Sequence, residues 1–284
     1  MQRLIERAKE LLTNGTVARV VGWKEGILPY MAEPAFFETP ESLNELIYNE
    51  YCSANLSKYM IQTSKMEGKT LVFLKPCDTY SFNQLLLEHR VDREKTYIIG
   101  VGCSGKKEKD ELLERCHVCK GKEHKIYDEI IGESQDTTDR NRFAEVEALE
   151  AMSAEERFAF FQKEFSKCIR CNACRNVCPV CSCRKCVFDG NAFASEQKAN
   201  VDSFEEKMFH VIRAYHVAGR CTDCGECSRV CPQGIPLHLL NRRLIKDMNE
   251  LYGEFQAGAD SETKGPLISF TMEDAEPSII EKRG

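Results

Sequence analysis

The sequence predicts an α/β region with a parallel sheet, then a mainly helical region of ferredoxin type, then an extended tail. Three observations carry this prediction. Two continuous apolar runs, 70–75 (TLVFLK) and 96–101 (TYIIGV), flank a helix-compatible stretch, which is the pattern of a strand–helix–strand crossover with parallel strands. From about residue 140 the periodicity becomes helical. Between Cys168 and Cys231 a cysteine motif occurs twice. The expected divisions are 1–140, 141–252 and 253–284.

Taken in order, residues 1–14 place Leu4, Ile5, Ala8, Leu11 and Leu12 on one helical face, with Gly15 as a stop. This charged amphipathic start does not read as a signal peptide. Residues 17–22 read as a strand. Thr39-Pro40 is a helix-start pair, and a helix through Leu43, Leu46 and Ile47 is expected. After the strand at 70–75, a helix over 80–90 leads to the strand at 96–101. Ser153-Ala-Glu-Glu156 and Ser203-Phe-Glu-Glu206 are capping-box sequences. A last helix after Pro236 is expected to bury Leu237, Leu240, Leu244, Met248 and Leu251. Residues 253–284 lack periodicity; Pro266-Leu267-Ile268-Ser269-Phe270 is expected to lie on a partner subunit or across the chain's own surface.

Sixteen cysteines in 284 residues is the anomaly of composition. The chain is long enough and apolar enough not to need disulfide staples, so metal ligation in a reducing cytoplasm is the expectation. A net charge of −6 gives no reason to expect nucleic acid as a partner. No apolar run approaches a membrane span, so no direct membrane insertion is expected. There is no phosphate-cradling glycine motif and no Ser–His–Asp or paired-carboxylate signature.

Cys168-Ile-Arg-Cys171-Asn-Ala-Cys174-Arg-Asn-Val-Cys178-Pro179 is echoed by Cys221-Thr-Asp-Cys224-Gly-Glu-Cys227-Ser-Arg-Val-Cys231-Pro232. Both fit C-x2-C-x2-C-x3-C-P, in which three cysteines wrap one 4Fe–4S cubane and the fourth ligates the other. The first cluster is therefore assigned Cys168, Cys171, Cys174 and Cys231, and the second Cys221, Cys224, Cys227 and Cys178. A pair of zinc sites would need only C-x-x-C pairs. Basic neighbours (Arg170, Arg175, Arg184, Lys185, Arg220, Arg229) are placed to raise cluster potentials or dock a partner, unless they are ordinary solvated charges.

Cys77 follows the first buried run and Cys103 the second. Parallel strands joined by one crossover end at the same sheet edge, where ligands gather. Cys77 and Cys103 are thus expected to meet there, joined by Cys116 and Cys119 from the following loop, as a third cluster. Gly102 and Gly105 are expected to let the chain approach it. Cys52, Cys181, Cys183 and Cys186 remain as a possible fourth set; buried packing or zinc are the alternatives.

The segments KPCDTYSFNQLLLEHRVDREKTYIIGVGC and GKEHKIYDEIIG, followed by HVAGRCTDCGECSRVCPQGIPLHLLNRRL, resemble the beta subunits of the coenzyme F420-reducing hydrogenases and formate dehydrogenases joined to a dicluster module. The resemblance implies a catalytic α/β core over about 15–135, with Cys77, Cys103, Cys116 and Cys119 at the thiols near a flavin. It implies an oxidoreductase of anaerobic electron transport. Its partners would be a hydrogenase, a formate dehydrogenase or a heterodisulfide-reductase-like flavoprotein. The family's glycine-rich opening segment is not found here, so the leading expectation is an electron-transfer subunit without FAD. An FAD-containing enzyme reducing a soluble cofactor, F420-like or nicotinamide, is the second reading. A zinc-bearing structural adaptor is the third.

Overall fold

The structure is a computed structural model and describes residues 1–135, 141–189 and 204–269, with only the backbone of 204–207. The first region is built on a five-stranded mixed sheet. Helix α1 (Gln2–Thr13) buries Leu4, Ala8 and Leu11. Strands β1 (Arg19–Glu25) and β2 (Ala32–Phe37) form an antiparallel pair. Strand β3 (Thr70–Leu74) is buried along its whole length and leads into α2 (Pro76–Leu87). Strands β4 (Thr96–Val101) and β5 (Glu129–Ile131) complete the sheet. The order is β2-β1-β3-β4-β5, with every neighbour pair after β2-β1 parallel. The two apolar runs are thus adjacent parallel strands, in register from Thr70↔Thr96 to Leu74↔Gly100.

Three local expectations are corrected. The helix expected after Thr39-Pro40 is one 3-10 turn, Ser42–Glu45. Thr39 Oγ1 does accept from Ser42 N at 3.2 Å, but Leu46 turns extended and Ile47 N donates to Trp23 O at 2.9 Å, so pairing with β1 ends the helix. Helix α2 starts at Pro76, not near 80, because proline suits the first helical position; Cys77 therefore lies in its first turn. Strands β2 and β5 escape a pattern search. One carries Pro34 and sits at the sheet edge, where a missing donor is tolerated; the other is three residues long.

The second region comprises α3 (Ala144–Glu150), α4 (Ala154–Ser166), α5 (Ala173–Val177), α6 (Phe204–His216), α7 (Glu226–Arg229) and α8 (Leu237–Tyr252). Both halves of the Ser153 capping box are made: Glu156 N donates to Ser153 Oγ at 3.2 Å and Ser153 N to Glu156 Oε2 at 2.9 Å. The Ser203 cap lies outside the described residues. On α8 the buried stripe runs through His238, Asn241, Arg242, Ile245 and Met248, one helical face. Arg242 anchors it through Asp223 at 2.9 Å and Glu114 at 2.5 Å. That rotation leaves Leu251 72% exposed and sets Leu240 and Leu244 along an apolar groove with α4 and α6, against the expectation that all three are buried.

The two regions meet at the carboxyl edge of the sheet and along α2. The Arg115 guanidinium pairs with Glu226, and both side chains are buried. Ser81 Oγ meets Thr222 Oγ1 at 2.8 Å, and Arg220 holds Glu88 at 2.5 Å. Residues 253–269 fold back over this junction. Asn83 Nδ2 donates to Gly258 O at 3.1 Å, and Gly258 has φ +73 with Tyr80 O 1.9 Å from where a Cβ would stand. Leu267 packs on Gly219. Phe270 and the residues after it lie outside the described ones. Among the described residues no helix is long and apolar enough to cross a membrane.

Candidate metal centres

Each copy of the cysteine motif is a loop that turns on left-handed residues at matching places. Arg170 and Asn172 have φ +56 and +59; Asp223 and Gly225, at the same offsets in the second copy, have φ +52 and +66. Three of the four are not glycine, and each such residue costs roughly 1–2 kcal/mol. Strain repeated at equal positions is what a site imposes on its backbone. The third cysteine of each copy, Cys174 or Cys227, is then carried on a short helix and buried.

Cys168, Cys171, Cys174 and Cys231 line one small cavity with Phe209, His210, Ile235 and Leu237. Burial pushes the Cys174 thiol up to about 11, against the Arg213 cation, with Cys227, Cys168 and Cys231 adding to the rise. In the second set burial pushes Cys224 up to about 12, followed by the charge of Cys178. Burial also raises Cys221 and Cys227, and Cys178 adds to both. The fourth cysteine of each motif therefore stands with the other motif's three, as the crossed ligand pattern requires.

These surroundings fit clusters. Arg213 is buried and hydrogen-bonds the Cys227 sulfur, yet its Nη1 has no partner. Both ring nitrogens of buried His210 are likewise unpartnered; burial, then the Arg213 and Arg170 charges, depress that imidazole to about 3. Orphaned buried donors demand an acceptor, and cluster sulfur is one. Among the described residues no three cysteine sulfurs come within 4.8 Å of one another. The one group meeting that limit is Glu114, Glu145 and His238, where Glu114 already pairs with Arg242.

At the sheet edge, Cys77, Cys103, Cys116 and Cys119 line a single cavity, as the parallel crossover predicts. Cys77 stands on the first turn of α2, Cys103 just beyond β4, and Cys116 on a one-turn helix, Glu114–His117. Cys224 of the second ferredoxin set lines the same cavity. So do Lys75, Lys106 and Arg115, which sequence reasoning missed. Lys75 is buried against Asp78 at 2.7 Å. Lys106 donates to Asn49 O at 2.7 Å and lies 3.8 Å over the Tyr48 ring. Burial, then the charge of Lys75, lowers its pKa to about 8. For Glu226, burial works to raise the pKa, yet the Arg115 and Arg229 cations hold it at about 2. A lysine directly before a Pro-Cys helix start was the available signal for the first of these cations; the others depend on tertiary contacts.

Two expectations are corrected here. Gly102 does not open space for the cavity: a Cβ there would meet Glu133 O at 2.3 Å, and one on Gly105 would meet Leu112 Cδ1 at 2.7 Å. These glycines admit protein, not a cofactor. Cys52 does not join Cys181, Cys183 and Cys186. It is fully buried in the α/β core, within the field of Lys106 and Lys75. The other three line a different cavity with Lys58, Arg213, His216 and Arg220. A hydrogen bond from Cys178 lowers Cys181 to about 7 against its burial, and Arg213 and Lys58 add to the lowering.

Residues 164–235 match the 4Fe-4S dicluster domain family. F420-dependent formate dehydrogenase subunit beta of Methanocaldococcus jannaschii is 30% identical over 93 residues, 33% of this chain and 24% of that protein. F420-dependent formate dehydrogenase 1 subunit beta of Methanococcus maripaludis is 29% identical over 97 residues, 34% of this chain and 25% of that protein. The fumarate reductase iron-sulfur subunit of Mycobacterium tuberculosis is 37% identical over 76 residues, 26% of this chain and 31% of that protein. The chain thus matches about a quarter to a third of the length of these relatives. The beta-subunit resemblance read from the sequence is shared with named relatives, and the chain is an iron–sulfur electron-transfer protein carrying a 4Fe–4S dicluster domain.

Proposed function

We propose that the chain is the electron-transfer subunit of a larger redox complex, in which a third 4Fe–4S centre on Cys77, Cys103, Cys116 and Cys119 feeds or drains the two ferredoxin-type centres. The observation that carries this reading is Cys224. It belongs to the second ferredoxin set and also lines the sheet-edge cavity, so the two sites share a wall. The ferredoxin sets are in turn interlocked through Cys178 and Cys231. Three sites in contact, spread across two regions, give the chain an entry and an exit.

A bound cubane takes up and returns one electron with little rearrangement, at a potential set by burial, charge and hydrogen bonds to its sulfurs. The chain's own residues supply those settings. Arg213 presents its cation to Cys227, Cys174, Cys178 and Cys181. Lys106 presents its charge to Cys103, Cys52 and Cys77. The Arg115–Glu226 pair fixes the wall between the sites, with Arg115 Nη1 also donating to Cys224 O at 2.6 Å. Partners of the kind named for the relatives, formate dehydrogenase subunits, fit this role, as does a cytoplasmic setting. The test is reductive titration of the anaerobically reconstituted chain, alone and with added FAD. Uptake of at least three electrons per chain without flavin bleaching supports the carrier reading. Stoichiometric flavin binding with turnover of F420 would favour an enzyme, and tightly bound zinc without iron an adaptor.

A further inference from the structure

The three cysteines beyond the first motif have a cavity of their own, which shares Arg213 with the ferredoxin sets. The segment 178–182 is pinned through its carbonyls. Lys58 Nζ donates to Cys178 O at 2.9 Å and to Cys181 O at 2.8 Å. Arg220 Nη2 donates to Val180 O at 2.9 Å, and Arg90 donates to Ser182 O. Two of these cations come from the α/β region and one from beyond the end of α6. A loop so held needs no further support to keep its shape, and Cys181, Cys183 and Cys186 all line the same space.

That space is large. It measures about 380 Å³. It therefore has room for a group of cubane size and for something more. The wall is cationic, with Lys58, Arg175 and Arg213, which suits an anionic thiolate-bound cluster; Arg220 pairs with Glu88. Among the described residues lining it there is no fourth cysteine, since Cys52 is buried in the α/β core.

We propose that Cys181, Cys183 and Cys186 hold a further 4Fe–4S cluster through three thiolates only, with its fourth iron facing the open cavity. Such an iron takes an exchangeable ligand, and the cationic wall selects a small anion, of carboxylate or thiolate class. The site goes beyond the three-centre path and does not depend on the sheet-edge set.

The experiment compares wild-type chain with Cys183→Ser, both reconstituted without oxygen, by iron, sulfide and zinc analysis and by electron paramagnetic resonance after ferricyanide. Ferricyanide removes one electron from a cluster with an open iron. That cluster then releases Fe²⁺ and leaves an oxidised 3Fe–4S cluster, which is paramagnetic. The expected result is about four irons fewer per chain in the variant, with a 3Fe–4S signal in wild type that the variant lacks. The iron remaining in the variant reports separately on the other three sets. Equal iron in both chains, or a zinc ion lost with Cys183, would overturn the proposal. So would a 3Fe–4S signal that appears only in His216→Ala, which would make His216 the fourth ligand.

Discussion

The ferredoxin-type loops and the sheet-edge cavity gather the same number of thiols in different ways. In the loops, three ligands of each set lie within seven residues and the backbone turns are left-handed at matching offsets. The cavity of the first set is lined by Phe209, Ile235 and Leu237 with His210, and Arg213 presents its charge to Cys174. At the sheet edge the thiols come from α2, from the end of β4 and from a later turn, and the walls carry Lys75, Lys106 and Arg115. Of these, Lys75 is neutralised by Asp78 and Arg115 by Glu226. Lys106 is held by a carbonyl and an aromatic face, so its charge is uncompensated; Lys120, over the Tyr80 ring, and Lys122 line the same cavity. Reduction adds negative charge to a cluster, and a nearby cation stabilises it. Lys106 at the sheet edge and Arg213 beside the ferredoxin sets should therefore each raise the potential of their own centres.

The largest effect expected from breaking this arrangement is at the wall between the sites. Glu226→Ala leaves the buried Arg115 charge unpaired and should cost about 3–5 kcal/mol in denaturant unfolding. A loss below about 1 kcal/mol would mean the pair does not join the regions. Its pH dependence has a definite sign. The folded-state pKa of Glu226 is about 2 against an ordinary 4.5, so its contribution is complete above about 4.5 and disappears as pH falls toward 2. Glu226→Gln should remove that part of the acid dependence, measured as stability against pH in metal-free protein.

The next effects sharpen the electrostatic contrast. Lys106→Met should lower the potential of the sheet-edge centre by on the order of 60 mV, a tenfold change in a one-electron equilibrium, and leave the ferredoxin centres where they are. Arg213→Met should do the reverse, lowering both ferredoxin potentials by a similar amount. Redox titration followed by electron paramagnetic resonance separates the two; a uniform shift of all centres in either variant would contradict the assignment of these cations. The smallest effect is expected at Cys52. Cys52→Ala should cost about 1 kcal/mol of stability and no iron, whereas an iron loss would make it a ligand.

How much of this was legible follows the same division. The grouping of each motif's fourth cysteine with the other motif's three could be read from spacing, because each motif is local and carries its own turn. The meeting of Cys77 and Cys103 could be read only through topology, from two buried runs and the parallel pairing they imply. Lys106, Arg115 and Arg213 could not be read at all, since a lysine or arginine in sequence looks solvated until the chain folds over it; for Lys75 only its place before a Pro-Cys helix start was a signal. Cys52 was misplaced for a related reason: thiols left over from other sets can be grouped by counting, but their positions in space cannot. On α8, Leu251 fitted the apolar stripe, yet Arg242 and its two carboxylates turned the helix to a different face.

The central claim is that the α/β region binds a cluster of its own, and Cys103→Ser in the full chain tests it most directly. After reconstitution without oxygen, the variant should hold about four irons fewer than wild type and lose one 4Fe–4S signal, with both ferredoxin signals retained. Iron and spectra identical to wild type would show that Cys77, Cys103, Cys116 and Cys119 bind no cluster.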